Sequence, residues 1–130
     1  MIVKKTVKRR PKNLDLWTIR LPVNAVVSIM HRASGVALFL IQPWLCWLLY
    51  QSLVNVQGYA ATAARLQQWP FKLLVTLLSW AFFHHFYAGL RHLAMDVHWM
   101  TSLQKARFSS RVVLWLVALT MLLVLWAIWG

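Results

Sequence analysis

Two uninterrupted apolar runs constrain this chain more than anything else in it. Residues 33–50, ASGVALFLIQPWLCWLLY, carry no charge over 18 positions, and residues 112–130, VVLWLVALTMLLVLWAIWG, carry none over 19. A helix needs roughly 20 such residues to cross a hydrocarbon core about 30 Å thick. Only helices and closed barrels satisfy every backbone N–H and C=O there. A third run, LLVTLLSWAFFHHFYAGL at 73–90, holds no carboxylate or lysine, and its interruptions are the histidines themselves. The expected fold is an all-α membrane protein with three transmembrane helices, at about residues 22–52, 70–98 and 110–129. Composition agrees: 61% of the 130 residues are hydrophobic, nine are tryptophan and two are acidic, far from the usage of a soluble domain.

The net charge of +12 raises nucleic acid as a partner, since six Lys/Arg lie within residues 4–12. Basic residues beside a membrane span have a simpler role in setting its orientation, and no nucleic-acid partner is expected. Lys4, Lys5, Lys8, Arg9, Arg10, Lys12 and Arg20 precede the first span, Arg65 and Lys72 flank the start of the second, and Lys105, Arg107 and Arg111 precede the third. This bias predicts a cytoplasmic N-terminus and second loop, with the C-terminus outside. The basic run leads into residues 14–22 rather than an apolar signal-peptide core, so the chain is expected to be unprocessed. Cys46 is the one cysteine; it is expected as core filler, with neither a disulfide nor a thiolate metal site formed by this chain alone.

Residues 1–21 read as a basic cytoplasmic arm and 22–130 as the anchor. Pro22 suits a helix start, because proline is tolerated in the first turn, and Pro43 predicts a bend inside the first span. Residues 55–70 form an outer loop with enough Ala, Gln and Leu for a short interfacial helix. Residues 101–110, TSLQKARFSS, read as a polar inner loop, and the third span as a packing helix.

Ionisable groups inside a span cost at least ~2.5–3.5 kcal/mol each, which makes them functional candidates. The first cluster is HHFYAGLRHLAMD, residues 84–96. At about 100° per residue, His85, Gly89, His92 and Asp96 share one stripe, and His84, Arg91, Met95 and His98 share another. His85 lies roughly 20 Å along the span, too deep to reach water. A buried imidazole needs a partner at each nitrogen, and haem iron with an acceptor on the far nitrogen satisfies both. Gly89 would leave room for a flat macrocycle. A helix-packing histidine beside a glycine notch explains the same pattern, and spacing does not separate the two, nor does it choose between His84 and His85. His92 and Asp96, one turn apart, read most simply as a satisfied helix end.

The second cluster is SIMHRASG, residues 28–35. Ser28, His31 and Arg32 fall at i, i+3 and i+4, so all three can face one cavity. A hydroxyl and a guanidinium at the edge of an apolar pocket suit a quinone, and Arg32 suits an anionic haem propionate equally well. Snorkelling of Arg32 and small-residue packing at Ser34 and Gly35 account for the same residues without a ligand.

RPKNLDLWTIRLPVNAVVSIMHRASG at 10–35, followed by HFYAGLRHLAMD at 85–96, resembles the cytochrome b membrane-anchor subunit of succinate dehydrogenase, respiratory complex II. The paired motifs S-x-x-H-R-x-S-G and H-x-x-x-G-x-R-H-x-x-x-D carry the resemblance; elsewhere the likeness is in hydropathy and length. The resemblance implies that His85 is an axial ligand of haem b, with His84 a neighbour, and that Ser28 and Arg32 belong to the ubiquinone pocket. It places His31 and Arg32 near the haem propionates and His92 close to the haem. It further implies a helical bundle shared with a second small anchor subunit supplying the other haem ligand. A flavoprotein carrying FAD and an iron–sulfur subunit would dock on the cytoplasmic face, passing electrons from succinate to quinone. The expected location is a bacterial inner membrane, with the C-terminus periplasmic. A fumarate reductase anchor, or a non-redox accessory subunit whose histidines only pack helices, are the alternatives.

Overall fold

The computed structural model describes residues 20–130, so all but the last two residues of the basic arm at 1–21 lie outside the described residues. Four helices follow in order, α1 (Val23–Val54), α2 (Val56–Leu66), α3 (Trp69–Asp96) and α4 (Leu103–Trp129), with no strand among the described residues. Three of them, α1, α3 and α4, are long and apolar enough to cross a membrane. At about 1.5 Å per residue their 32, 28 and 27 residues reach roughly 48, 42 and 40 Å, more than a hydrocarbon core requires.

The helix ends follow from local chemistry. Pro22 is extended, and its carbonyl accepts the N–H groups of Ala25 and Val26 at 2.9 and 3.2 Å. The helix then runs unbroken through Pro43. Asn55 ends α1 with an extended backbone and caps α2, its side chain accepting the Gly58 N–H at 2.7 Å. The loop at 55–70 therefore does hold a short helix, which packs mainly on α1 and touches α3.

The connection between α3 and α4 is tighter than the sequence predicts. Helix α3 ends at Asp96, and the chain reverses over 97–100 with His98 and Met100 in the left-handed region, at φ 60° and 70°. Helix α4 starts at Leu103 rather than near 110, so most of the expected polar loop is its first two turns. Ser102 caps it by accepting the Lys105 N–H at 3.5 Å, and the Leu, Gln, Lys, Ala and Arg that follow are strong helix formers. Ser109 and Ser110 do not break the helix, because their hydroxyls donate to the Ala106 carbonyl at 3.1 and 2.9 Å.

Val27, Ala88, Val113 and Val117 make the buried centre, with Trp80, Tyr87, Leu114 and Met121 packed against it. Small side chains let the helices approach closely where lipid gives no hydrophobic drive. From α3, the residues turned inward are Ala81, His84, Ala88 and Arg91. The stripe of His84 and Arg91 is thus the bundle-facing one, while His85, Gly89 and His92 are half-buried. Large apolar side chains lie outside, with Phe39, Trp115 and Trp126 each more than three-quarters exposed. Cys46 is exposed too, not in the core as expected. It stands two residues from the buried Leu48, about 200° around the helix.

Polar contacts tie the helices together. Arg91 Nε donates to Ser109 Oγ at 3.1 Å, and Ser110 Oγ, its proton on the Ala106 carbonyl, lies 3.0 Å from the Asn24 side-chain amide. At the other end, Lys72 Nζ donates to the Ile128 carbonyl at 2.9 Å and Trp129 Nε1 to Thr76 Oγ1 at 3.1 Å.

Candidate functional site

The two sequence clusters meet where α1 packs on α3. The His31 ring stacks on the His85 ring, centroids 4.2 Å apart and planes 12° from parallel. It also approaches the His92 ring, at 5.0 Å and 42°. The nearest atom of α1 to Gly89 is His31 Nε2, 3.7 Å from where a Cβ would stand, an ordinary contact. The open space beside His85 lies on its α1 side.

That space is an apolar cavity of about 490 Å³, open at the surface and lined by His31, Arg32, Gly35, Val36, Phe39 and His85. His85 is held at its inner nitrogen. Its Nδ1 lies 3.0 Å from the His31 carbonyl oxygen and 3.5 Å from Ser34 Oγ. Ser34, almost fully buried, also donates to the His31 carbonyl, at 2.9 Å. Nε2 of His85 makes no hydrogen bond among the described residues.

Arg32 is exposed at the rim, and its Nε donates to the Ser28 backbone carbonyl at 3.4 Å. The geometry gathers His31, Arg32 and His85 around one cavity, with His92 beside His31. It does not bring Ser28 into that cavity; Ser28 is half-buried one turn earlier on α1. His84 is separated from the site. It is fully buried in the bundle, stacked on Trp80 at 5.5 Å, and neither ring nitrogen has a partner among the described residues.

Sequence reasoning missed the parts played by Ser34 and Gly35. Both sit in the quoted motif, one turn beyond His31, but spacing along α1 says nothing of which α3 residue they meet. It also missed Arg91 as a buried cross-link to α4, because Ser109 and Ala106, which receive it, read as loop.

Among the described residues no group of three His, Cys, Asp or Glu side chains converges on a bare metal ion. What the site offers is one imidazole with its inner nitrogen partnered, an apolar wall and a guanidinium at the rim. Those features fit a metal carried in a large apolar prosthetic group with an anionic edge.

Residues 6–124 match the family described as succinate dehydrogenase/fumarate reductase transmembrane subunit. Similar proteins include the succinate dehydrogenase cytochrome b556 subunit of Coxiella burnetii, 37% identical over 106 residues that cover 81% of this chain and 85% of that protein. The protein of the same name from Paracoccus denitrificans is 30% identical over 105 residues, 81% of each chain. That from Rickettsia felis is 31% identical over 118 residues, 88% of this chain and 90% of the other.

Proposed function

The chain belongs to the succinate dehydrogenase/fumarate reductase transmembrane subunits, and on that premise we propose that it holds one side of a haem b and part of a ubiquinone site. It is a multi-pass membrane anchor within an oxidoreductase complex. The observation that carries the haem reading is the seating of His85, whose Nδ1 rests on the His31 carbonyl while its ring lines an open apolar cavity. Haem b, when bound, supplies a one-electron redox centre. His85 is the axial ligand in this reading, Arg32 and His31 hold the propionate edge, and His92 flanks His31. His84 does not compete, because it is fully buried among this chain's own helices. The cavity opens away from the bundle, which supports a second small anchor subunit supplying the other ligand.

Ser28 and Arg32 contribute to the quinone site. The bond from Arg32 to the Ser28 carbonyl keeps these two neighbours together on α1. In the proposed reaction, succinate oxidation on the flavoprotein delivers two electrons through FAD and the iron–sulfur subunit's clusters. Ubiquinone takes these with two protons to become quinol, and Arg32 stabilises the negative charge that develops on the reduced oxygen. The basic residues flanking the spans support an inner-membrane orientation with the N-terminus and the 97–102 connection cytoplasmic and the C-terminus periplasmic. The names of the relatives favour the succinate-oxidising direction over fumarate reduction.

Arg32→Leu and Ser28→Ala are expected to lower succinate-to-quinone activity of the purified complex by about tenfold or more. Succinate oxidation by a soluble dye should persist, and equal loss of both activities would refute the quinone assignment.

A further inference from the structure

Two small residues of α1 face His85, and neither is accounted for by holding a cofactor or a quinone directly. We infer that Ser34 and Gly35 are positioning residues for His85, seating its imidazole on the α1 backbone so that Nδ1 carries the proton and Nε2 keeps its lone pair for iron. The inference rests on the reading of His85 as the haem ligand and adds what sets the ligand's tautomer and orientation.

The hydrogen bonds allow one tautomer. A carbonyl oxygen only accepts, so the 3.0 Å contact from His85 Nδ1 to the His31 carbonyl requires a proton on Nδ1. Ser34 agrees with that assignment. Its hydroxyl has one proton, which goes to the His31 carbonyl at 2.9 Å, so toward Nδ1 at 3.5 Å it can only accept. A neutral imidazole has a single N–H, and Nε2 is then the basic nitrogen.

Gly35 makes the approach sterically available. A Cβ at this position would lie 2.8 Å from His85 Cε1, closer than real contacts allow, and 3.1 Å from Nδ1, tighter than most. The ring cannot simply tilt back, because His31 stacks on it at 4.2 Å. An alanine would therefore push the imidazole off the His31 carbonyl. The displaced atoms belong to the end of a side chain, so the cost falls on ligand orientation rather than on the helix pair.

A donor bond from the far nitrogen raises the basicity of a ligating imidazole and fixes its plane, and loss of such support typically changes metal binding by about 10–100-fold. In the complete purified complex, Ser34→Ala should shift the haem reduction equilibrium toward the ferrous form by about tenfold, read by redox titration of the haem absorption. It should also change the low-spin ferric EPR g values. Ser34→Thr, which keeps the hydroxyl, should restore both. Gly35→Ala should move both readouts further, or release haem while the subunits still co-purify. Ser52→Ala removes a hydroxyl that bonds its own helix at Leu49, at 2.7 Å, and serves as the control that moves neither. His85→Ala, run alongside, tests the ligand assignment itself: loss of the native haem spectrum upholds it, and an unchanged spectrum overturns both it and this inference. With His85 upheld, wild-type titration and EPR in Ser34→Ala and Gly35→Ala would overturn the positioning role alone, as would a Ser34→Thr variant no closer to wild type than Ser34→Ala.

Discussion

His84 is an imidazole with no exposed surface and, among the described residues, no hydrogen-bond partner at either nitrogen. Unpaired polar atoms in such a place cost about 1–3 kcal/mol, and an apolar side chain of similar size removes that cost. His84→Leu is therefore expected to raise the thermal midpoint of the purified complex while leaving its haem absorption intact. A lower midpoint, or a lost haem band, would mean that His84 has a polar partner or a ligand role. The neighbouring His85 differs by one step of about 100° around the helix, and that step separates the bundle interior from the α1 contact. Periodicity put the two on different stripes and left open which stripe faced what. The interior position of Ala81, Ala88 and Arg91 answers it, since they share the His84 face.

At the level of elements, α3 and α4 are fastened at the ends opposite the site. Lys72, in the first turn of α3, donates to the Ile128 carbonyl in the last turn of α4, and its ammonium lies 5.7 Å from the Trp129 ring. A cation there meets both an unpaired terminal carbonyl and the negative end of the helix dipole. Lys72→Met keeps the aliphatic stem and removes the donor, so it should destabilise the bundle by roughly 1–2 kcal/mol. A drop in thermal midpoint with an unchanged haem spectrum checks this; no drop would show the contact to be energetically neutral. Helix α4 also marks where local reading failed. Residues 101–110 look like loop because of their serines and charges, yet Ser102 caps and Ser109 accepts from Arg91 of another helix. Side-chain polarity at 109 and 110 is a tertiary matter, decided by α3 and by Asn24 of α1.

For the molecule as a whole, the small core and the exposed Phe39, Trp115 and Trp126 describe a bundle whose surroundings are apolar. With His85 as the one ligand this chain is proposed to supply on an open cavity, the chain expressed without a second anchor subunit should insert in membranes but retain little haem. Co-expression with that subunit should restore a haem-to-protein ratio near that of the full complex, measured on purified membranes. Full haem retention by this chain alone would contradict the shared site. The motifs at 28–35 and 84–96 contain His31, Arg32, His85 and His92, which gather on one side of α1 and α3.

Hydropathy and charge by themselves determined the three spans, because moving a residue from water to hydrocarbon depends on that residue and its near neighbours. They also determined that the buried histidines needed partners. Only the tertiary structure decided which partners, because the rotation and depth of α1 against α3 are set by packing around Val27, Ala88, Val113 and Val117. That packing, and no local preference, brings a backbone carbonyl 54 residues away to His85 Nδ1 and leaves His84 with none.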